Sequence, residues 1–107
     1  MSKRSSDRGY RQWRAKVIRR DGGCVICGSK KRRAAHHMNC WSYFPESRYD
    51  MENGVTLCGF HHMLFHTSYK NSYREKCTIK EYKNFIEMLT RLAKWQEVDG
   101  KIIKLMV

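Results

Sequence analysis

The chain has 107 residues, 41% of them hydrophobic and 30% charged, and its 22 Lys and Arg against 10 Asp and Glu give a formal net charge of +12. This length predicts one domain with a thin core, while six Tyr, four Phe and three Trp argue against disorder throughout. The charge indicates nucleic acid as the partner rather than an anionic membrane surface, because no strongly basic amphipathic helix stands out. No window approaches the ~20 apolar residues of a membrane span.

The N-terminal segment is predicted to be a basic tail followed by a short helix. Residues 1–6 are polar and basic, and we expect them to be mobile. From Asp7 to Arg20, apolar residues recur at helical spacing with basic residues between them. These apolar residues are Tyr10, Trp13, Val17 and Ile18. Asp7 is the candidate N-cap, and the sequence DGG at residues 21–23 is expected to end the helix.

The middle of the chain is predicted to contain two short strands and a helix. CVICGS, residues 24–29, is typical of a metal knuckle, in which Gly lets the backbone turn around the ion. AAHHMNCW, residues 34–41, predicts a first strand, and VTLC, residues 55–58, predicts a second, because Val and Thr favour extended backbone. A loop with the only proline separates them, and a helix is expected from Gly59 to about Tyr69.

The C-terminal part is predicted to be one long helix. Thr78 and Glu81 match a capping box, S/T-x-x-E. An apolar stripe follows, with polar and charged residues mostly opposite. The stripe consists of Ile79, Tyr82, Phe85, Ile86, Leu89, Leu92 and Ala93. Gly100 is the expected stop, and KIIKLMV, residues 101–107, is predicted to be a strand or an apolar tail on the core.

Two residue pairs predict a structural zinc site. Cys24-x-x-Cys27 and Cys58-x-x-His61 each offer two donors on a tight turn, and two such turns can close on a tetrahedral zinc. Zinc would add folding free energy that a thin core lacks. The first ten residues lack the apolar segment of a signal peptide, so we expect a reducing cytoplasm, where clustered cysteines bind metal. Free thiols are expected at Cys40 and Cys77.

Three further histidines predict a second metal site. His62 and His66 are four residues apart, so on a helix their rings share one face. If the first strand packs beside this helix, His36 adds a third nitrogen, and three ligands leave positions for water and phosphate. His37 would point away from the metal, and as a neutral imidazole it can take a proton from water. An exchange of His61 and His62 between the two sites is an open alternative.

The ordered combination of AHH, Asn53 and LCGFHHMLFH closely resembles the HNH endonuclease motif. With the flanking cysteine pairs, residues 13–66 resemble the zinc-stapled subgroup that is common in phages and mobile elements. The resemblance implies an α+β fold, in which a ββα-metal (His-Me finger) core lies between an N-terminal helix and a long C-terminal helix. We expect a single domain over 1–107, with a basic arm at 1–12, the zinc-braced core at 13–66 and a helical extension at 67–107.

The resemblance also implies a role for each motif residue. The ligands of a catalytic metal correspond to His36, His62 and His66, and the general base corresponds to His37. Asn53 matches the Asn that braces the loop between the strands and helps to hold the base. His61 is a departure, because zinc-containing members usually have Cys there, although zinc accepts either donor.

The implied reaction is metal-dependent hydrolysis of phosphodiester bonds in double-stranded DNA, leaving 5′-phosphate and 3′-hydroxyl ends, in a bacterial or phage-infected cell. We expect a structural Zn²⁺ and a catalytic ion that is Zn²⁺, Ni²⁺, Mn²⁺ or Mg²⁺. We expect no membrane partner. The protein is expected to be a monomer or a homodimer, and to nick one strand or to cut both. Aromatic loop residues could stack on bases or pack in the core: Trp41, Tyr43 and Phe44. Phosphate contacts are expected from Arg14, Arg19, Arg20, Lys30, Lys31, Arg32 and Arg33.

Two other functions are compatible with these residues. A non-catalytic, zinc-stabilised nucleic-acid-binding module would explain the charge and the two donor pairs, but it leaves the remaining histidines without a purpose. A branched-DNA resolvase or an RNase on the same fold would keep the metal chemistry, although such resolvases usually have an acidic residue at the position of His36. Metal-dependent nicking of plasmid DNA would separate the nuclease from the binding module.

Overall fold

The computed structural model describes residues 4–69 and 76–98, which form a small α+β fold. Its elements, in chain order, are α1 (Arg8–Asp21), β1 (Ala34–His37), β2 (Gly54–Leu57), α2 (Gly59–Leu64) and α3 (Ile79–Val98). The two strands pair antiparallel in a single sheet, and α2 continues into a π-helical turn, Phe65–Tyr69. Of the helices in this described part, none has the length and apolarity needed to cross a membrane.

Helix α1 begins and ends where the sequence predicts. The Asp7 side chain accepts a hydrogen bond from the Tyr10 backbone N–H at 2.9 Å, which caps the first turn and lowers the pKa of Asp7. At the other end, Gly22 has a φ of 78°, a left-handed conformation that favours glycine. The Gly22 N–H donates to the Ile18 carbonyl at 2.8 Å, which closes the last turn.

The segment before α1 differs from the predicted mobile tail. Arg4–Ser6 is a short 3-10 turn, and the Asp7 N–H donates to the Arg4 carbonyl at 3.1 Å. Arg4 is half-buried rather than solvated. Residues 1–3 lie outside the described residues.

The sheet is shorter than the sequence predicts. His37 at the end of β1 pairs with Gly54 at the start of β2. After His37, two successive backbone amides bond to the single residue Asn53 and not to a neighbouring strand. The Met38 N–H donates to the Asn53 carbonyl at 2.9 Å, and the Asn39 N–H donates to the Asn53 side chain at 2.8 Å. The prediction that the first strand continues from residue 38 to residue 41 is therefore wrong.

Helix α1 packs against β2 at a position where only glycine fits. A Cβ atom on Gly54 would lie 2.5 Å from Trp13 Cζ2 and 2.8 Å from Val17 Cγ2. Two residues along, Thr56 is fully buried, and its backbone N–H donates to the Asp21 carboxylate at 2.9 Å. This close contact fixes α1 on the sheet beside the two strand histidines.

The N-terminus of α3 has the predicted capping box. The Glu81 carboxylate accepts hydrogen bonds from the Thr78 backbone N–H at 2.6 Å and from the Thr78 hydroxyl at 3.0 Å. The next amide, that of Ile79, donates to the Asn39 side-chain oxygen at 2.8 Å. The start of α3 is thereby tied to the segment that follows β1.

The apolar stripe of α3 forms part of the core in its first three turns. Phe85 is fully buried and packs edge-on against Phe65, with ring centroids 5.2 Å apart. Leu92, which was predicted to belong to the stripe, is 40% exposed, so that part of the prediction is wrong. The predictions for the Ala93 side chain, for Gly100 and for residues 101–107 fall outside the described residues.

Candidate metal centres

Three cysteines and one histidine converge as the sequence predicts, and we call them the cysteine cluster: Cys24, Cys27, Cys58 and His61. Their ligand atoms all lie within 4.8 Å of one another. The Cys27 and Cys58 sulfurs are 3.8 Å apart, and His61 Nδ1 lies 3.4 Å from Cys58 Sγ and 3.7 Å from Cys24 Sγ. Tetrahedral zinc with ordinary bond lengths separates two sulfurs by about 3.8 Å, and a sulfur and a nitrogen by about 3.6 Å. The cluster therefore suggests a structural metal such as zinc.

Local backbone geometry builds both halves of the cysteine cluster. Gly28 has a φ of 80°, and its N–H donates to the Cys24 carbonyl at 2.7 Å, which closes the first turn. Cys58 is the N-cap of α2, where its sulfur accepts the His61 N–H at 3.5 Å. The two turns are joined because the Val25 N–H donates to the Thr56 carbonyl at 3.0 Å.

The surroundings of the cysteine cluster act differently on its members. Burial raises the pKa of Cys24, but hydrogen bonds from the backbone of Cys27 and Cys58 outweigh that effect and lower it. The pKa of Cys27 is raised, with burial as the main cause. Burial lowers the pKa of His61, which favours the neutral imidazole that binds a metal ion.

A second group of side chains, the histidine cluster, consists of His36, His62 and His66. One ring nitrogen of each lies within 4.8 Å of the others, and the Nε2 atoms of His62 and His66 are 2.9 Å apart. His36 is only 3% exposed, and its Nε2 is buried without a hydrogen-bond partner among the described residues. Such an atom is costly to bury, and a bound cation would satisfy it.

The histidine cluster is electrically neutral at pH 7. Burial lowers the pKa of His36 well below its usual range, and the neighbouring histidines lower it further. Burial likewise lowers the pKa of His62, and it lowers that of His66 to about 4. Three unprotonated imidazoles fit a divalent transition metal ion. His61 lies with the cysteines and His62 with the other histidines, so the two are not exchanged.

His37 occupies a different environment from its neighbour His36. Its Nε2 lies 3.0 Å from the Arg48 carbonyl, an acceptor, so we assign the ring proton to Nε2. Its Nδ1 then carries a lone pair, and this atom is buried with no hydrogen-bond partner among the described residues. Trp13 stacks on the ring at 3.9 Å between centroids and 14° between planes. Burial lowers the pKa of His37 to about 4, so the ring is neutral at pH 7.

Asn53 ties together the loop that connects the strands. It is 5% exposed, its side-chain oxygen accepts the Asn39 N–H, and its side-chain amide donates to the carbonyls of Asn39 at 3.0 Å and Ser47 at 3.2 Å. Ser47 is followed by Arg48, whose carbonyl lies 3.0 Å from His37 Nε2. Asn53 therefore helps to fix the acceptor that orients the His37 ring.

A cavity of about 340 Å³ opens beside the histidine cluster. Its lining includes His36, His37, Tyr10, Trp41 and Tyr43. Arg4 also lines this cavity, and its charge is the signal in the sequence that could have indicated it. The cavity is therefore a space where a ligand would meet the histidine cluster, His37 and one cation.

Three of the predicted phosphate-binding residues use side-chain N–H groups in hydrogen bonds within the protein. Arg20 donates to the Asp21 carboxylate at 2.8 Å and to the carbonyls of Met51 at 2.8 Å and Gly54 at 2.7 Å. Arg33 donates to the Gly22 carbonyl at 2.9 Å, and Arg14 donates to the Arg33 carbonyl at 3.1 Å. The N–H groups used in this way are not available to phosphate. The remaining four side chains of the set are exposed: Arg19, Lys30, Lys31 and Arg32.

The three aromatic residues of the loop have different surroundings. Trp41 is half-buried, and the guanidinium of Arg48 lies 4.4 Å from its ring centroid. Phe44 is half-buried with the Lys76 ammonium 5.3 Å from its ring centroid. Tyr43 is 54% exposed at the cavity, so of the three it is the side chain most accessible to a ligand.

The two cysteines outside the cysteine cluster are in the thiol form, and neither belongs to a candidate metal cluster of the described residues. Cys77 is buried and Cys40 is half-buried. The Cys40 N–H donates to the Cys77 carbonyl at 3.0 Å, and the Cys40 sulfur accepts the Cys77 N–H at 3.3 Å. These contacts hold the segment before α3 against the segment after β1.

Comparison of the chain with family models, with curated proteins and with solved structures finds no match. The two clusters and the cavity beside them are therefore the basis for assigning a function.

Proposed function

We propose that the protein is a metal-dependent DNA endonuclease of the HNH type, built on a ββα-metal core. The observation that carries the proposal is the pairing of the histidine cluster with His37. Three neutral imidazoles that can hold a cation lie beside a fourth whose Nδ1 lone pair is unused. A Lewis acid next to a neutral base is what hydrolysis of a phosphodiester requires.

The order of the elements supports this proposal. β1 carries His36 and His37, β2 pairs with it antiparallel, and the α2 region carries His62 and His66. Cys58 ends the connection between β2 and α2, so a metal in the cysteine cluster would fix the start of the helix that bears the other ligands. The proposed structural zinc and the proposed catalytic site are thus coupled through one turn of helix.

The proposed chemistry assigns one role to each group. His36, His62 and His66 would hold a divalent ion, which supplies Lewis acidity to the phosphate and the leaving oxygen. His37 Nδ1 accepts a proton from the attacking water, while the Nε2–H bond to the Arg48 carbonyl keeps the ring in the productive tautomer. A bond forms between the water oxygen and phosphorus, the bond from phosphorus to the 3′ oxygen breaks, and the departing 3′ oxygen takes a proton from solvent to become the hydroxyl.

The low pKa of His37 is compatible with this role. Burial holds it at about 4, and the positive charges of Arg4 and Arg48 contribute to the lowering. A bound phosphodiester is negatively charged, so it would attract the imidazolium form and raise the pKa of His37 towards its usual value. The ring would then be neutral before the reaction and a stronger base with substrate present.

The charge distribution supports DNA as the substrate. The net charge of +12 favours binding to a polyanion, and the exposed Lys30, Lys31 and Arg19 can contact phosphates without reading sequence. Binding of this kind would be weakened strongly by salt.

The proposal is tested by incubating supercoiled plasmid with the wild-type protein and with His37→Gln across Zn²⁺, Ni²⁺, Mn²⁺ and Mg²⁺. Glutamine can still donate to the Arg48 carbonyl, but it has no basic nitrogen. We expect metal-dependent nicking by the wild type and a loss of roughly 100- to 10,000-fold in the variant, since that is the usual contribution of a general base.

Plasmid binding and the thermal midpoint serve as controls, and both should be unchanged in His37→Gln. If the wild-type protein binds DNA but cuts it with none of these ions, the nuclease proposal is wrong and a zinc-stabilised binding module is the better assignment. If His37→Gln cuts as fast as the wild type, His37 is not the base.

A further inference from the structure

Arg4 is placed by aromatic side chains at the cavity beside the histidine cluster. Its guanidinium carbon lies 5.2 Å from the Trp41 ring centroid and 5.9 Å from the Tyr10 ring centroid. Both rings also line the cavity. Cations over aromatic faces are attracted by the ring quadrupole, so these contacts hold a residue that the sequence assigns to a tail.

Arg4 shares a cavity with both halves of the candidate site. The proposed base, His37, and two of the proposed ligands, His62 and His66, line this cavity together with Arg4. Among the described residues that line the cavity, Arg4 is the one Lys or Arg.

We propose that Arg4 binds a non-bridging oxygen of the scissile phosphodiester and is a catalytic residue of the site. This inference rests on the proposed nuclease function. A guanidinium presents a planar set of N–H donors that matches two phosphate oxygens, which a single ammonium does not. Negative charge builds on those oxygens as water attacks, so the bonds from Arg4 strengthen at that point and accelerate the reaction. Arg4 neither gains nor loses a proton, because the proton from water goes to His37.

The other arginine next to the aromatic loop does not fit this role. Arg48 Nε donates to the Trp41 carbonyl at 2.8 Å, and its guanidinium lies over the Trp41 ring. Arg48 does not line the cavity. Its contacts hold the loop, whereas Arg4 lies where a phosphate would enter.

The first experiment compares the cleavage kinetics of Arg4→Ala, Arg4→Lys and the control Arg8→Ala, which removes the same charge from an exposed position at the start of α1. We expect kcat to fall roughly 100-fold in Arg4→Ala and less in Arg4→Lys, with KM changing only slightly. Added guanidinium ion at non-denaturing concentration should restore part of the rate of Arg4→Ala alone. Arg8→Ala should cut at the wild-type rate.

The second experiment needs no cleavage. Binding of the dinucleotide TpT and of its uncharged methylphosphonate analogue to the protein as purified is followed through the indole N–H resonance of Trp41. Wild type and Arg8→Ala should bind the charged form about tenfold more tightly or better, because a charge-assisted bond contributes about that much. Arg4→Ala should bind both forms equally.

The outcomes separate the two proposals. If Arg4→Ala keeps both the wild-type kcat and the preference for the charged dinucleotide, Arg4 does not bind the phosphate. This conclusion holds even if the thermal midpoint of the variant falls, because the role of Arg4 is then to pack the loop. If the wild type cuts DNA with none of the ions, the nuclease proposal fails. The dinucleotide comparison then still decides whether Arg4 binds a phosphodiester.

Discussion

His36 and His37 are adjacent and both buried, yet their partners give them opposite properties. Successive side chains of a strand point to opposite faces. One face of β1 therefore directs His36 to the histidine cluster, with its ring centroid 5.4 Å from that of His62 and 5.3 Å from that of His66. The other face directs His37 onto Trp13 and the Arg48 carbonyl. His36, which lies among the other histidines, can act as a metal ligand. His37, whose tautomer is set by the hydrogen bond to the Arg48 carbonyl, can act as a base.

Asn53→Ala tests the bracing of the loop at the scale of one residue. The substitution removes three hydrogen bonds and leaves the Asn39 N–H without its acceptor. We expect the free energy of unfolding to fall by about 3 kcal/mol, since each buried polar group left unpaired costs about 1–3 kcal/mol. Urea denaturation measures this, with the exposed Asn84→Ala as the control.

The control variant should lie within about 0.5 kcal/mol of the wild type. Equal unfolding free energies for Asn53→Ala and Asn84→Ala would show that Asn53 does not brace the loop. A large loss of plasmid nicking without loss of stability would instead mean that Asn53 acts on the site directly.

The described side chains of helix α3 support the candidate site through the core beneath it. Phe85 packs on Phe65, and Phe65 in turn lies under His36, with ring centroids 4.9 Å apart. Tyr82, also buried, lies 5.7 Å from the His36 ring. The apolar face of α3 therefore packs, directly through Tyr82 and indirectly through Phe65, against His36 and helps to bury that ring.

Truncation of Phe85 tests the docking of this element. Phe85→Ala removes a fully buried ring and should cost about 3–5 kcal/mol of unfolding free energy, because both the burial and the packing are lost. Leu92→Ala is the matched control in the same helix, since that side chain is 40% exposed and should cost less than about 1 kcal/mol. Denaturant unfolding monitored by far-UV circular dichroism measures both, and equal losses would mean that α3 is not docked as described.

At the scale of the whole molecule, the cysteine cluster brings together two segments that are far apart along the chain. It connects the turn after α1 with the turn before α2 across thirty intervening residues. Three small groups of buried side chains make up the described core, so a metal that closes this link would carry a large share of the stability.

Cys24→Ser should therefore lose the structural metal and unfold. Structural zinc contributes about 10–16 kcal/mol in small domains, as much as the total stability of most domains. Elemental analysis should find at least one zinc per wild-type chain and a loss in the variant, and the thermal transition should disappear. Cys40→Ser is the control, because its hydroxyl can still accept the Cys77 N–H. Similar melting of the two variants would argue against a structural metal.

Sequence spacing anticipated the features that depend on neighbouring residues. The capping box of Thr78 and Glu81, the Asp7 cap and the two donor pairs of the cysteine cluster are all set within four residues along the chain. Helix and turn geometry repeats from protein to protein, so such spacing converts directly into a contact. The second half of the first strand was wrongly predicted because the amides of Met38 and Asn39 both bond to Asn53 and that of Cys40 bonds to Cys77, both of which are far along the chain.

By itself the sequence determined the residue types, the two sets of candidate ligands and the helices that follow the caps at Asp7 and Thr78. Only the tertiary structure decided that Arg48 supplies the carbonyl for His37, that Arg20 donates to the carbonyls of Met51 and Gly54, and that Arg4 lies at the cavity. Those contacts join residues that are far apart along the chain. They depend on how α1 packs against the sheet and how the loop crosses it, and no local periodicity encodes that packing.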